Sequence, residues 1–251
     1  MNNNNRKNSG DLIFGTRAII ESINAGKNID KLLLQKNLKN ELIQELIDTA
    51  KAHHIPFSKV PIEKLNRITR KNHQGAICFL SPISFSSLDN VLDTAYQSAS
   101  HPLLLILDRV TDVRNFGAIT RTAECTGANA VIIPEKGSAA VNADAMKTSA
   151  GALNFIPLCR VSHLGKTLQY LKDSGLQIVA CTEKAQSNLY DIDFNVPTAI
   201  LMGSEEDGIS PEYLKMADAK ARIPMKGQIS SLNVSVSTGV VLYEVLRQRS
   251  L

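Results

Sequence analysis

Apolar residues in the second half of this chain come in short unbroken runs: Leu103–Leu107, Ala130–Pro134, 178–181 and Thr198–Met202, with 222–225 as a shorter candidate. Such runs, bounded by polar stretches, predict strands covered on both faces. Segments with helical spacing fall between them, at 117–126, Leu164–Asp173 and 211–217. Ser162 and Ser210 stand where N-caps are needed, Pro211 suits a first helical position, and Gly175 suits a C-terminal stop. Strands alternating with helices predict a parallel sheet with helices on both sides. The last segment reads two ways. Leu232, Val234 and Val236 alternate with polar residues as in a strand, while Leu232, Val236 and Val240 fit a helix running to Arg249; length favours the helix.

The first half is more mixed. Ala18, Ile19, Ile20 and Ile23 predict a helix ending near Gly26, 31–35 a strand, 38–53 a second helix and Ala76–Leu80 a short strand. The pattern divides the chain into a polar tail (1–10), a small α/β domain (11–82), a linker with a short helix at 88–96 (83–101) and a larger α/β domain (102–251).

Composition narrows the function classes. The 251 residues are 43% hydrophobic and 21% charged, which excludes a fully disordered or fibrous chain. No apolar run approaches the roughly 18 residues of a membrane span, and the start MNNNNRKNSG does not read as a signal peptide. Four scattered cysteines without a C-x-x-C pair read as reduced, mostly buried thiols of a cytoplasmic protein, with no zinc site. The net charge of +4 lies entirely in the first 100 residues, which hold 13 Lys+Arg against 9 Asp+Glu. Its densest part carries Lys59, Lys64, Arg67 and Arg70, with His73 beside it. A local positive field suits RNA; a solvated lysine-rich face has the same composition, so charge alone leaves both open.

Three stretches carry the candidate chemistry: Asp108-Arg-Val-Thr-Asp-Val-Arg-Asn-Phe-Gly-Ala-Ile-Thr-Arg-Thr-Ala, Leu201-Met-Gly-Ser-Glu-Glu-Asp-Gly-Ile, and Ile223-Pro-Met-Lys-Gly-Gln-Ile-Ser-Ser-Leu-Asn-Val-Ser-Val-Ser. Each sits at the carboxyl end of an expected parallel strand, where α/β proteins place ligands. No G-x-G-x-x-G, P-loop or G-x-S-x-G accompanies them, which argues against dinucleotide binding, NTP hydrolysis and a serine-hydrolase elbow. The spacing puts Asn115 in a loop and Arg121 on the helix that follows, with Arg109 or Arg114 as a phosphate contact.

The three stretches, in this order, resemble the motifs of the SpoU/TrmH family of SPOUT methyltransferases, which methylate the ribose 2′-hydroxyl of RNA. The small N-terminal domain with His73-Gln-Gly, the linker and the larger domain are most similar to the family's bacterial 23S rRNA (guanosine-2′-O)-methyltransferases. The resemblance implies a deep trefoil knot in the C-terminal domain, a homodimer, S-adenosylmethionine as cofactor and no metal. It implies cofactor contacts at Gly203, Ile223 and Leu232, with Leu201, Met202 and Met225 as neighbours. Asn115, Arg121, Glu205, Ser231 and Asn233 become the catalytic set. Because arginine is too weak an acid to serve as a literal base, Arg121 is expected to orient and polarise the hydroxyl. Glu205 is expected to hold the Asn115 loop, and Ser231 and Asn233 to combine helix capping with a place near the ribose. Lys59, Lys64, Arg67, Arg70, His73 and Arg114 are the expected RNA contacts. A tRNA or another rRNA site as substrate, and an inactive RNA-binding homologue, stay open at this point.

Overall fold

A computed structural model describes residues 12–98 and 101–250, and the polar tail expected at 1–10 lies outside the described residues. Contacts separate the chain into two units, the first ending at Ser84 and the second beginning at Phe85.

The first unit runs β1 (Leu12–Phe14), α1 (Thr16–Asn24), β2 (Ile29–Gln35), α2 (Glu41–Ala52), β3 (Phe57–Val60), α3 (Ile62–Ile68) and β4 (Ala76–Leu80). The strands form one mixed sheet in the order β1-β4-β2-β3, in which β4 is antiparallel to both neighbours and β2 and β3 are parallel. Side chains alternate across a strand, and here both faces are covered. Leu32, Leu34 and Cys78 pack with Ile19, Ile23, Leu46 and Ala50 of α1 and α2. Leu33 and Ile77 meet Val60 and Leu65 on the other face. The sequence reading missed β1, β3 and α3. Each of β3 and α3 buries a single residue, Val60 and Leu65, so neither shows a periodic apolar pattern.

The second unit runs α4 (Leu88–Ser98), β5 (Leu103–Leu107), α5 (Val113–Cys125), β6 (Ala130–Pro134), α6 (Ala143–Thr148), β7 (Leu158–Val161), α7 (Leu164–Asp173), β8 (Gln177–Cys181), β9 (Ser187–Asn188), β10 (Thr198–Met202), α8 (Pro211–Met216), β11 (Ala219–Arg222) and α9 (Val234–Arg249). Its seven strands form a parallel sheet in the order β7-β6-β5-β10-β8-β11-β9. One face packs Leu104, Ile106, Ile132, Ile178 and Leu201 against α4 and α7. The stretch read as a linker therefore contains a helix whose Val91 and Leu92 belong to this core. On the other face α9 lies along α5.

Local chemistry explains where the elements differ from the sequence reading. α5 starts at Val113 rather than 117 because Asp112 caps it, its Oδ1 accepting from the amides of Arg114 and Asn115 at 2.9 Å each. Asn115 is thus in the first turn of the helix and not in a loop. The helix can lie close to α6 because residue 117 is glycine: a Cβ there would collide with Thr148 and the Ser149 amide. His163, not Ser162, occupies the N-cap position of α7. Gly175 does end that helix, at a φ of +89°. The strand expected at 222–225 instead occupies Ala219–Arg222. It stops before Pro224, which has no amide hydrogen for the ladder. Its own pattern hid it, since only Ala221 is buried.

The C-terminal segment is a helix of 16 residues. Its last turn is pinned to the amino-end loops of the sheet. Arg249 donates to the carbonyls of Phe194 and Val196 at 2.8 Å each and to that of His101. No helix among the described residues is long and apolar enough to cross a membrane.

Candidate functional site

The loops that leave β8, β10 and β11 meet the segment before α9 around a cavity of about 480 Å³. Met202, Gly203, Ile223, Met225, Ser231 and Leu232 line it, together with Leu189, Ala221 and Val241. Leu201 does not. It is fully buried in the core on the opposite face. Adjacent residues of a strand point to opposite sides, so Leu201 and Met202 cannot both face one cavity.

Gly203 ends β10 and begins a closed turn. Ser204 and Gly208 exchange two backbone hydrogen bonds of 3.1 Å, and the Asp207 amide donates to Ser204 Oγ at 3.1 Å. A Cβ on Gly203 would run into the backbone of Gly208 and Ile209, so packing of the turn alone requires glycine there. The turn presents Glu205, Glu206 and Asp207 at its exposed apex.

Glu205 Oε1 accepts a short hydrogen bond from Asn233 Nδ2, which also donates to Asn115 Oδ1 at 3.1 Å. The other end of the same amide caps α9, Asn233 Oδ1 accepting from the Ser235 and Val236 amides. One side chain thus joins all three motifs, and capping holds its rotamer. Glu205, Asn115 and Val234 also line a second cavity of about 380 Å³, which shares the 204–207 segment with the first. The side-chain Nδ2 of Asn115 has no partner among the described residues and is free to donate.

Other expected site residues stand apart. Arg121 is exposed on α5, without a hydrogen bond or ion pair among the described residues, and lines neither cavity. Six residues of helix carry it about 9 Å along the axis and about 120° around from Asn115. Arg114 is exposed one residue before Asn115. Arg109, a candidate phosphate contact, is instead bonded to Asp108, Asp207 and Gly208. Burial works against its charge, but the hydrogen bonds and carboxylates of Asp108 and Asp207 outweigh that and raise its pKa. The sequence reading missed the part played by Asp108, which is 2% exposed and accepts from both the amide and the hydroxyl of Ser210 at 2.7 Å. Its position after a wholly apolar strand was the available signal.

In the first unit Lys59, Lys64, Arg67 and Arg70 are exposed and form no ion pair among the described residues. His73 is buried. Its Nδ1 accepts from the Gly75 amide at 3.1 Å and its Nε2 lies 2.9 Å from Asn66 Oδ1. With both nitrogens engaged, His73 shapes the turn and is removed from the RNA-contacting set. No group of three or more His, Cys, Asp or Glu among the described residues is arranged to hold a metal ion.

Comparison with known proteins agrees with this division. The SpoU rRNA methylase family matches residues 102–243, and the RNA 2′-O ribose methyltransferase substrate-binding family matches residues 12–86. A protein of Bacillus subtilis (strain 168) described as a TrmH family tRNA/rRNA methyltransferase is 32% identical over 240 residues, 96% of each chain. The solved SpoU methyltransferase AviRb from Streptomyces viridochromogenes, in complex with AdoMet, superimposes with a TM-score of 0.62 at 25% identity, covering 99% of this chain and 94% of that one. A crystal structure of an RNA 2′-O ribose methyltransferase gives 0.58 at 28% identity, over 96% and 89%.

Cys181, half-buried in the wall of the first cavity, gives a check on that wall. Burial pushes the thiols of Cys78, Cys159 and Cys181 up to about 12, so all three stay protonated at pH 8. Cys125 is exposed. Iodoacetamide at pH 8 is expected to modify native protein at Cys125 alone. Peptide mass spectrometry that finds Cys181 modified as fast as Cys125 would show the cavity wall to be open.

Proposed function

This chain belongs to the SpoU rRNA methylase family and is an RNA 2′-O-ribose methyltransferase that uses S-adenosylmethionine; from that premise we propose that it methylates a guanosine of 23S rRNA and does so as a homodimer. The observation that carries the reading is the Glu205–Asn233–Asn115 network at the junction of two cavities. The first cavity fits the cofactor: its volume is in the range of nucleoside-sized sites, and it combines apolar walls with main-chain groups at the Gly203 turn. Met202, Ile223, Leu232 and Val241 would hold the adenosine, with Met225 at the rim. When bound, the cofactor supplies a methyl group already activated on a sulfonium. The protein's task is then to position and deprotonate a weakly acidic hydroxyl.

Asn115 has a free amide donor for a ribose or phosphate oxygen, and Glu205 and Asn233 keep it aimed. Ser231 borders the cofactor cavity. Arg121 is assigned to orienting the 2′-hydroxyl. Since it stands away from the network within one chain, that role requires a second chain to complete the site. α9, which packs on α5, leaves Val236 and Tyr243 more than half exposed, while Val241, Leu242 and Val245 are buried in the protomer. A second copy is the occupant proposed for that face.

The first unit supplies the reach to RNA. Lys59, Lys64, Arg67 and Arg70 are exposed cations, without an ion pair among the described residues, on the domain of the substrate-binding family, and they support a large folded RNA as substrate. A tRNA is the second reading, favoured by the description of the Bacillus subtilis relative, which covers both RNAs. Mapping 2′-O-methyl marks on total RNA with and without the gene decides between them: loss of one 23S guanosine mark supports the first, and loss of a tRNA mark overturns it.

Arg121→Ala is expected to lower turnover about 100-fold or more while leaving cofactor affinity almost unchanged; single-turnover rates equal to wild type would remove Arg121 from the reaction. A double Lys59→Ala, Lys64→Ala variant should weaken RNA binding and flatten its salt dependence by about one unit of slope per lost phosphate contact. An unchanged slope in titrations at several salt concentrations would leave those lysines as a solvated face. Light scattering should give twice the 27.4 kDa chain mass at micromolar concentration, and a monomer would count against the shared site.

A further inference from the structure

Arg109 is one of five described non-glycine residues with a positive φ, and the one among them that borders the site. Its φ of +58° lies in the left-handed region, which crowds a Cβ and ordinarily goes to glycine. Such a conformation persists where surrounding contacts enforce it, and these cluster at working sites. Here the contacts are those of the guanidinium. Nε donates to Asp108 Oδ1 at 3.3 Å, one terminal nitrogen to Asp207 Oδ2 at 3.0 Å, and the other to the Gly208 carbonyl at 3.1 Å.

Two of those acceptors belong to the turn that carries Glu205. Its far end is held separately, by the Ser210 hydrogen bonds to Asp108. Consecutive residues at the end of β5 therefore grip the turn at different points, Asp108 at its exit and Arg109 near its apex. The apex needs such a grip, because Glu205, Glu206 and Asp207 are three neighbouring carboxylates that repel one another. Among the described residues, Arg109 is the cation paired with them.

We propose that Arg109 is a positioning residue for methyl transfer, a latch that holds the 204–208 turn in the shape that keeps the Glu205 carboxylate on the Asn233 amide. Arg109 touches Asp207 and acts on Asn233 and Asn115 through the turn. This rests on the methyl-transfer reading above for its catalytic consequence, and on the geometry alone for its structural one. A planar fork is required, since the latch engages a carboxylate and a carbonyl with separate nitrogens; lysine can offer charge but not both bonds.

Arg109→Gly separates the latch from general stability, because glycine relieves the left-handed backbone while removing the guanidinium. The expected result is a fall in kcat of about 10- to 100-fold, since a small misplacement of a positioned group has that effect. Calorimetric S-adenosylmethionine affinity should stay within about threefold and the melting temperature close to wild type. Arg109→Lys should recover part of the lost kcat. Hydrogen exchange on the free protein should show faster exchange at the Ser204 and Gly208 amides in Arg109→Gly. A wild-type kcat in Arg109→Gly, or a loss matched by equal losses of melting temperature and cofactor affinity, overturns the positioning role. Unchanged exchange at Ser204 and Gly208 overturns the latch itself, whether or not the wild-type protein methylates the RNA offered. Wild-type protein that transfers methyl to no RNA would instead defeat the substrate reading, with the exchange result still deciding the latch.

Discussion

A carboxylate withdrawn from water must be met by donors, and the donors that meet Asp108 fix the geometry of the whole site. Asp108 directly follows β5 and its own amide donates to the Met202 carbonyl at 2.8 Å, so the ends of β5 and β10 are tied through the main chain. Its side chain then reaches past the turn to Ser210. A hydrogen bond to a charged group contributes about 1.5–3 kcal/mol, so the two loops cannot drift apart without losing both of these. α5 begins a few residues later under the Asp112 cap and carries Asn115 with it. The distance between Asn115 and the Glu205 turn is therefore set by the sheet and by Asp108, rather than by the flexibility of either loop.

What the sequence made legible follows the physics of burial. Strands covered on both faces, such as Leu103–Leu107 and Thr198–Met202, announce themselves as unbroken apolar runs, and their ends are sharp enough to locate the motifs. Elements that bury one side chain leave no such trace, which is why β3, α3 and β11 were not found or were misplaced. The direction of a side chain was also beyond the motif. Leu201 and Met202 are equally apolar neighbours, and only the pleat decides that one faces a helix layer and the other a cavity. Capping moved boundaries by a turn: Asp112 drew Asn115 into α5, and Ser210, well placed to cap α8, gives its hydroxyl to Asp108 instead. His73 shows the opposite error, a titratable residue in a basic stretch whose nitrogens turn out to be committed to a turn.

The two units divide the work in a way that the charge distribution anticipates. The excess positive charge belongs to the first, where solvated cations gain from polyanion binding through counterion release and need no fixed geometry. The second, with 15 Lys+Arg against 17 Asp+Glu, carries no positive excess, and its polar groups are held by specific bonds. Positive charge added to the reaction unit would strengthen RNA attachment but would also disturb the acidic apex at Glu205–Asp207, whose pairing among the described residues is with the Arg109 guanidinium.

Asn233 shows how fold and chemistry are joined in one side chain. An N-cap contributes about 1 kcal/mol to a helix, and α9 needs one because its first amides have no acceptors within the helix. Asparagine and aspartate cap equally well, so capping alone does not choose between them. The amide nitrogen chooses. Only asparagine can accept from the Ser235 and Val236 amides with one atom and donate to Asn115 and Glu205 with the other; an aspartate would set a second carboxylate against Glu205 and leave Asn115 Oδ1 without a donor. The helix start thus serves as the fixed point from which the network is aimed, and the far end of the same helix is fastened by Arg249 to the loops at the amino end of the sheet. A helix held at both ends gives the Asn233 amide a defined position relative to β10, and such definition is what the role proposed for this network, positioning a ribose hydroxyl, requires.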